Sequence, residues 1–186
     1  GVDYRLGFTT TDNGNPWCGT TSPESGALVL SSCADRLPQF TGQAGDVDVS
    51  QLACLDHCQL TTAQLGIDGS GPPWVGEGAS LAPGVSISDA VGCLFPQGID
   101  GCGFENGLES MHRSLLRSEQ MGDPAFGFVR EEANLLIVLI TDEADCSNNS
   151  AWSSIFEPGG GMAFWPPEGG SNPSSAICWN AGTSCE

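Results

Sequence analysis

The chain has 186 residues with 23 acidic side chains and only five basic ones, all arginine, which gives a net charge of −18. A field of this sign repels nucleic acids and anionic lipid head groups, so cations and cationic surfaces are the expected partners. The length suits one domain with a sizeable core. No apolar run reaches the roughly 18 residues of a membrane-spanning helix, and we expect any export signal or anchor to lie outside this sequence.

Nine cysteines are spread along the chain from Cys18 to Cys185. This frequency is typical of oxidising compartments and predicts an extracellular or outer cell-surface location. An odd number leaves at least one thiol without an internal partner. The strand pattern of residues 2–11 begins without a lead-in, and the chain stops one residue after Cys185. We therefore expect the sequence to be part of a longer protein.

The first half of the chain predicts short elements tied by disulfides. Residues 3–11 and 26–30 have the composition of two strands, and the short connection between them favours antiparallel pairing. Cys18 and Cys33 are placed to pin this connection as a disulfide. Residues 46–65 have apolar side chains at helical spacing and predict a helix.

The middle of the chain predicts a long loop followed by two helices. Residues 66–101 are rich in glycine, proline and serine, with a short helix expected near Ser86–Leu94. The clearest helix is Phe104–Gln120, whose apolar stripe should pack on a sheet. That stripe consists of Phe104, Leu108, Met111, Leu115 and Leu116. Cys93 and Cys102 flank the loop before this helix and form the best-supported disulfide prediction.

Six consecutive aliphatic residues, 135–140, form the most informative segment of the chain. A run this short without a helical stripe predicts a strand buried on both faces, as in the centre of a parallel sheet. Because an amphipathic helix precedes it, the predicted fold class is α/β: a doubly wound, mostly parallel sheet flanked by helices, with long disulfide-tied loops.

Carboxylates follow this strand directly, at Asp142, Glu143 and Asp145. The carboxyl ends of strands are where open α/β sheets bind ligands, and oxygen ligands favour a hard cation such as Mg²⁺ or Ca²⁺. Asp142 is the main candidate ligand, while Glu143 and Asp145 are better explained as a charged loop rim. A helix-capping role is the alternative for Asp142.

Three motifs together resemble the von Willebrand factor type A family, in particular a cysteine-rich bacterial group found in surface lipoproteins. The motifs are DYRLGFTTTD at 3–12, GCGFENGLESM at 101–111 and LLIVLITDEADCS at 135–147. The resemblance implies a metal ion at the sheet edge, with Asp142 as a ligand. It also implies that residues 1–150 form the family's core and residues 151–186 a cysteine- and aromatic-rich loop excursion.

Two departures from the family pattern affect the predicted metal site. The Asp-x-Ser-x-Ser motif that ends the family's first strand is absent, and the turn that usually holds a ligand threonine reads Asp100-Gly101-Cys102-Gly103. If a metal binds, that ligand is replaced by Asp100, by Glu105 or by nothing. The resemblance implies that the first strand and helix of the core are missing, so a partner chain or cleaved fragment is expected to donate the strand.

Other patterns have simpler explanations. Cys54, His57 and Cys58 have zinc-like spacing, but no fourth ligand is evident and an oxidising compartment favours disulfides. Cys146 is expected to pair with Cys178 or Cys185. The tail aromatics are interpreted as a small core, with a sugar- or protein-binding surface as the alternative. They are Trp152, Phe156, Phe164, Trp165 and Trp179.

Three functions follow as hypotheses. The first is a non-enzymatic adhesion or protein-binding module in which a cation at Asp142 is completed by an acidic group of the partner. The second is a structural subunit of an extracellular assembly without a working metal site, which a donated strand would lock in place. The third and weakest is a secreted hydrolase that uses Glu105 and Asp142 as paired carboxyls.

Overall fold

Regular structure is sparse in the computed structural model, which describes residues 3–19, 21–42, 45–76, 81–165 and 172–182. The α-helices in these ranges are α1 (Ile87–Leu94), α2 (Gly107–Glu119) and α3 (Ala176–Gly182). The strands are β1 (Arg5–Leu6) and β2 (Val75–Gly76), which pair antiparallel. Short 3-10 turns cover Cys33–Asp35, Leu37–Phe40, Ser150–Phe156 and Met162–Phe164, and a π turn covers Gln51–Leu55. No described helix is long and apolar enough to span a membrane.

The predicted doubly wound parallel sheet is wrong. The sheet found in the described residues has two strands in antiparallel order, and residues 135–140, expected at the centre of a larger sheet, belong to neither of them. The composition of this run favours an extended backbone, but a sheet also needs neighbouring strands. The described part of the chain supplies none beside it.

The first of two hydrophobic cores is built around two disulfides, Cys33–Cys54 and Cys58–Cys93. Its larger buried members, Phe40, Leu65 and Leu94, are almost fully excluded from solvent. Helix α1 lies where a short helix was predicted and contributes Cys93 and Leu94 to this core. It begins with a side-chain cap, in which the Ser86 hydroxyl accepts a hydrogen bond from the Asp89 amide. The same serine lowers the pKa of the Asp89 carboxyl through a hydrogen bond.

The second core joins the start of α2 to the C-terminal part of the chain. The Cys146–Cys178 disulfide lies within it, and Cys18–Cys102 ties it to the N-terminal segment. Phe104 meets Phe156 edge to face with ring centroids 5.3 Å apart. The other buried members are Ile155, Trp165 and Ile177. Described tail residues and residues near Cys102 therefore share one core.

The N-terminal elements are shorter than predicted. The strand expected at residues 3–11 is reduced to β1, and residues 26–30 are not assigned as a strand. One hydrogen bond still joins these segments, from the Val29 amide to the Phe8 carbonyl. A second, from the Ser25 amide to the Asp12 carbonyl, lies just beyond their ends and keeps the antiparallel order. Of the helix predicted at residues 46–65, only the π turn Gln51–Leu55 forms.

Helix α2 matches its prediction in position but buries a different face. Its buried positions are Ser110, Ser114 and Ser118, whereas Leu108 and Leu116 of the predicted apolar stripe are about half exposed. The Ser114 hydroxyl donates to the Gly26 carbonyl at 2.7 Å. Small side chains at this spacing let the neighbouring backbone lie directly against the helix, so the expected packing of the apolar stripe on a sheet is wrong.

All eight of the predicted disulfide cysteines are bonded, but two of the expected pairs differ. The structure joins Cys18 to Cys102 and Cys93 to Cys58, in place of Cys18–Cys33 and Cys93–Cys102. The expected bond from Cys146 goes to Cys178, while Cys185 lies outside the described residues. Short separation along the chain was the basis of the two wrong pairs, and folding brings more distant cysteines together.

Replacing Gly26 with alanine is expected to lower the free energy of unfolding by about 2–4 kcal/mol. Gly26 has a φ of +74°, and an added Cβ would lie 2.5 Å from the Arg113 Cβ and 2.9 Å from the Ser110 carbonyl oxygen. Urea unfolding with intact disulfides measures the loss. Gly122→Ala is the matched control, since its φ is +93° but no atom lies within 4 Å, and should cost only about 1–2 kcal/mol. Equal losses would contradict the packing of α2 on Gly26.

Non-reducing peptide mapping is expected to recover the four observed disulfides. Cleavage at Asp56 separates Cys54 from Cys58, and cleavage at Asp100 separates Cys93 from Cys102. Digestion of the unfolded, unreduced chain at aspartate and glutamate should therefore give Cys58 linked to Cys93 and Cys18 linked to Cys102. A linked peptide joining Cys93 to Cys102 would contradict the structure.

Candidate functional site

The aliphatic run 135–140, called the exposed strand below, is the most unusual surface feature of the molecule. None of its six side chains is buried. The exposed fractions are 50%, 41% and 50% at Leu135, Ile137 and Leu139, but 84%, 66% and 67% at Leu136, Val138 and Ile140. This alternation is the two-residue period of an extended backbone. One face is therefore partly covered by the molecule and the other is open.

The backbone of the exposed strand is also unpaired. Within the described parts of the chain, no amide or carbonyl of residues 135–140 makes a hydrogen bond. Unpaired backbone groups along an extended apolar segment form a template for pairing with another strand. The segment thus offers both unpaired hydrogen-bonding groups and apolar side chains.

Contacts at both ends hold the exposed strand in place. On the N-terminal side, the Arg130 guanidinium forms an ion pair with Asp3 and also donates to the Asp3 carbonyl. On the C-terminal side, the Cys146 amide donates to the Glu105 carbonyl at 2.6 Å, and Cys146 is bonded to Cys178. The exposed strand lies on the surface between these two anchors.

Acidic residues predicted as metal ligands surround the start of α2. Asn106, the residue before this helix, makes no side-chain cap. The Asp145 carboxylate takes over this role by accepting from the Leu108 amide at 3.0 Å, while the Ser147 hydroxyl accepts from the Glu109 amide at 2.8 Å. Asp145 therefore anchors the turn after the exposed strand to the helix terminus, where a negative charge is favoured.

Glu105 lies in the same region, where its carboxylate accepts from the Thr141 hydroxyl at 2.8 Å. Asp142 and Glu143 are exposed on the intervening turn. The region contains a pocket of about 280 Å³. Its lining consists of Thr11, Glu105, Gly107, Leu108, Leu139, Ile140, Thr141 and Asp145. Two of the predicted ligands, Glu105 and Asp145, thus line one pocket.

Metal binding stays a prediction. Across the described ranges, no three or more His, Cys, Asp and Glu side chains are grouped to hold an ion. The zinc alternative is excluded for Cys54 and Cys58, because both sulfurs are in disulfides. Asp100, the other proposed replacement ligand, does not line the pocket.

The C-terminal aromatic residues divide between a core and the surface. Phe156 and Trp165 are buried, as the small-core interpretation requires, and the Trp165 indole donates to the Ile155 carbonyl at 2.8 Å. Trp152 and Trp179 are mostly exposed. The buried tail aromatics therefore belong to the second core. Of the exposed tryptophans, Trp152 lies on the 3-10 turn Ser150–Phe156 and Trp179 lies on α3.

The exposed strand was recognised in the sequence but placed in the wrong environment. A run that is apolar at every position can be buried on both faces only if other elements cover it. Leu108 and Leu116 were a second indication of uncovered apolar surface, because the apolar stripe of α2 is buried only where another element packs on it. Comparisons of the chain with protein-family models, curated proteins and solved structures give no match.

Asp145→Ala is expected to lower the free energy of unfolding by about 1 kcal/mol, because it removes the acceptor that caps α2. Urea unfolding in EDTA measures this change with no divalent cation contributing. Glu143→Ala is the matched control, since its side chain accepts no described hydrogen bond, and should change stability by less than about 0.5 kcal/mol. Equal effects of the two substitutions would contradict the capping role.

Proposed function

We propose that this chain is an extracytoplasmic protein-binding module and that the exposed strand is its binding element. The observation that carries the proposal is the combination of six exposed aliphatic side chains with an unpaired backbone in one anchored segment. Large apolar patches on soluble proteins mark interaction sites, and unpaired strands are bound by strand addition.

The energetics favour a polypeptide partner. Covering each half-exposed aliphatic side chain is worth roughly 1–2 kcal/mol. A second strand would also pair backbone groups that make no hydrogen bond within the described residues, and backbone pairing fixes the register. A small ligand could cover some of the side chains, but it could not pair a run of backbone groups.

The compartment supports this proposal. Four disulfides indicate an oxidising environment, and we place the module at the cell surface or in the extracellular space. The likeness to the von Willebrand A family enters the proposal only through the exposed strand and the acidic turn after it. Under this proposal the chain is not an enzyme, and it acts in adhesion or as a subunit of a surface assembly.

A cation-dependent form of the same function is the second candidate. It is favoured by the position of Glu105 and Asp145 in one pocket beside the exposed strand. A cation there would attract an acidic group of the partner. Strand addition needs no ion, so partner binding measured in EDTA and then with added Ca²⁺ or Mg²⁺ separates the two forms.

Cross-linking from the exposed strand tests the proposal. A photoreactive amino acid at Val138 should capture a specific protein when the full chain is incubated with extract of its native source. The captured protein is then purified and its affinity for the unlabelled chain measured by calorimetry. We expect Val138→Thr, which keeps shape and charge but removes apolar character, to weaken this binding about fivefold.

Leu52 provides the matched control because it is 71% exposed on the π turn of the first core. A photoreactive group at Leu52 should not capture the same protein, and Leu52→Thr should leave the affinity unchanged. Equal binding by the wild-type chain and Val138→Thr would overturn the proposal that the exposed strand is the binding element.

A further inference from the structure

We propose, building on the function above, that the occupant of the exposed strand is an extended polypeptide segment with alternate apolar side chains and basic residues at both of its ends. The juxtaposition that carries this inference is an apolar centre with acidic groups on either side. Glu131 and Glu132 precede the strand, while Asp142 and Glu143 follow it. All four are exposed.

The local positive charge does not offset these acids. Arg130 is the basic residue nearest to the strand in the sequence, and its guanidinium already forms an ion pair with Asp3. The chain as a whole has a net charge of −18, which includes these four acids. A partner strand would therefore meet negative potential at both ends, whichever direction it runs, and lysine or arginine there would be attracted.

The same charges oppose pairing between two copies of this chain. In an antiparallel pair, Glu131 and Glu132 of one copy would face Asp142 and Glu143 of the other. In a parallel pair each acidic end would face its own equivalent. Like charges opposite each other destabilise a strand pair, so the charge pattern selects against a second copy and for a basic partner.

The exposure pattern identifies which side chains the partner contacts. Leu139 lies beside the start of α2, where a Cβ on Gly107 would be 4.0 Å from its Cδ2 atom. Leu136, Val138 and Ile140 form the more exposed face. We therefore place the apolar side chains of the partner segment against these three residues.

Three synthetic peptides test the inference against the full chain in EDTA. Each has about six central residues alternating valine and threonine, within the usual length of a strand. The first has paired lysines at both ends and the second has paired glutamates. The third repeats the lysine peptide with every amide of the central residues N-methylated, which blocks backbone pairing on both edges but keeps the charge.

We expect the lysine peptide to bind, as followed by fluorescence anisotropy, and the glutamate peptide to bind at least about tenfold more weakly at low salt. The difference should shrink as salt screens the charges. Glu131→Gln with Glu132→Gln should weaken the lysine peptide about threefold. Asp46→Asn with Asp56→Asn makes the same change in net charge on other exposed residues and should have a smaller effect.

The outcomes separate this inference from the proposed function. If both charged peptides bind equally and Val138→Thr weakens both, the inferred preference for basic ends is refuted, but the proposal that the exposed strand binds a peptide stands. If the N-methylated peptide binds as tightly as its parent, or no peptide binds, strand binding itself is refuted. A concentration-dependent dimer in analytical ultracentrifugation that Val138→Thr abolishes would make a second copy the occupant and overturn the inference.

Discussion

Covalent cross-linking is the constraint on which the rest of this structure depends. Among the described residues, the large side chains that are almost fully buried are few: Phe40, Leu65, Leu94 and Ile177. The regular elements are short, and much of the chain is turn and loop. Disulfides stabilise such a fold chiefly by restricting the unfolded chain. Each of the two cores is built around disulfide sulfurs, and the Cys146–Cys178 bond also fixes the end of the exposed strand.

The packing of α2 explains why apolar surface is left uncovered. Its buried face consists of Ser110, Ser114 and Ser118. The Ser114 hydroxyl donates to the Gly26 carbonyl, and the Ser110 hydroxyl accepts from the Asn13 side-chain amide. Close backbone contact replaces the burial of large side chains on that side. Leu108 and Leu116 consequently stay half exposed. The first turn of the same helix also holds the turn after the exposed strand, because the Leu108 amide donates to the Asp145 carboxylate. Apolar residues of the helix and of the exposed strand are therefore both left open to solvent.

Local features of this chain could be predicted from its sequence, whereas features that depend on distant contacts could not. The Ser86 cap of α1 and the position of α2 follow from patterns within one or two helical turns. The parallel sheet was inferred mainly from residues 135–140, but a strand forms a sheet only when other strands of the chain lie beside it and pair with it. Cysteine pairing was inferred from proximity in the sequence, and Cys18 instead bonds to a cysteine 84 residues away. For the candidate site, the acidic residues were identified, but the capping role of Asp145 depends on where α2 docks.

An exposed aliphatic strand is an aggregation hazard whatever its function, because such segments pair with one another. Charged residues that flank a hydrophobic strand counter this tendency, and here the flanking charges at Glu131, Glu132, Asp142 and Glu143 all have the same sign. Mixed charges would allow two copies to pair in one of the two directions. A single sign at both ends disfavours both directions, yet it leaves a basic strand free to bind in either. Under the proposed function, the acidic composition of the chain would limit self-association and select a basic partner through the same electrostatic interaction.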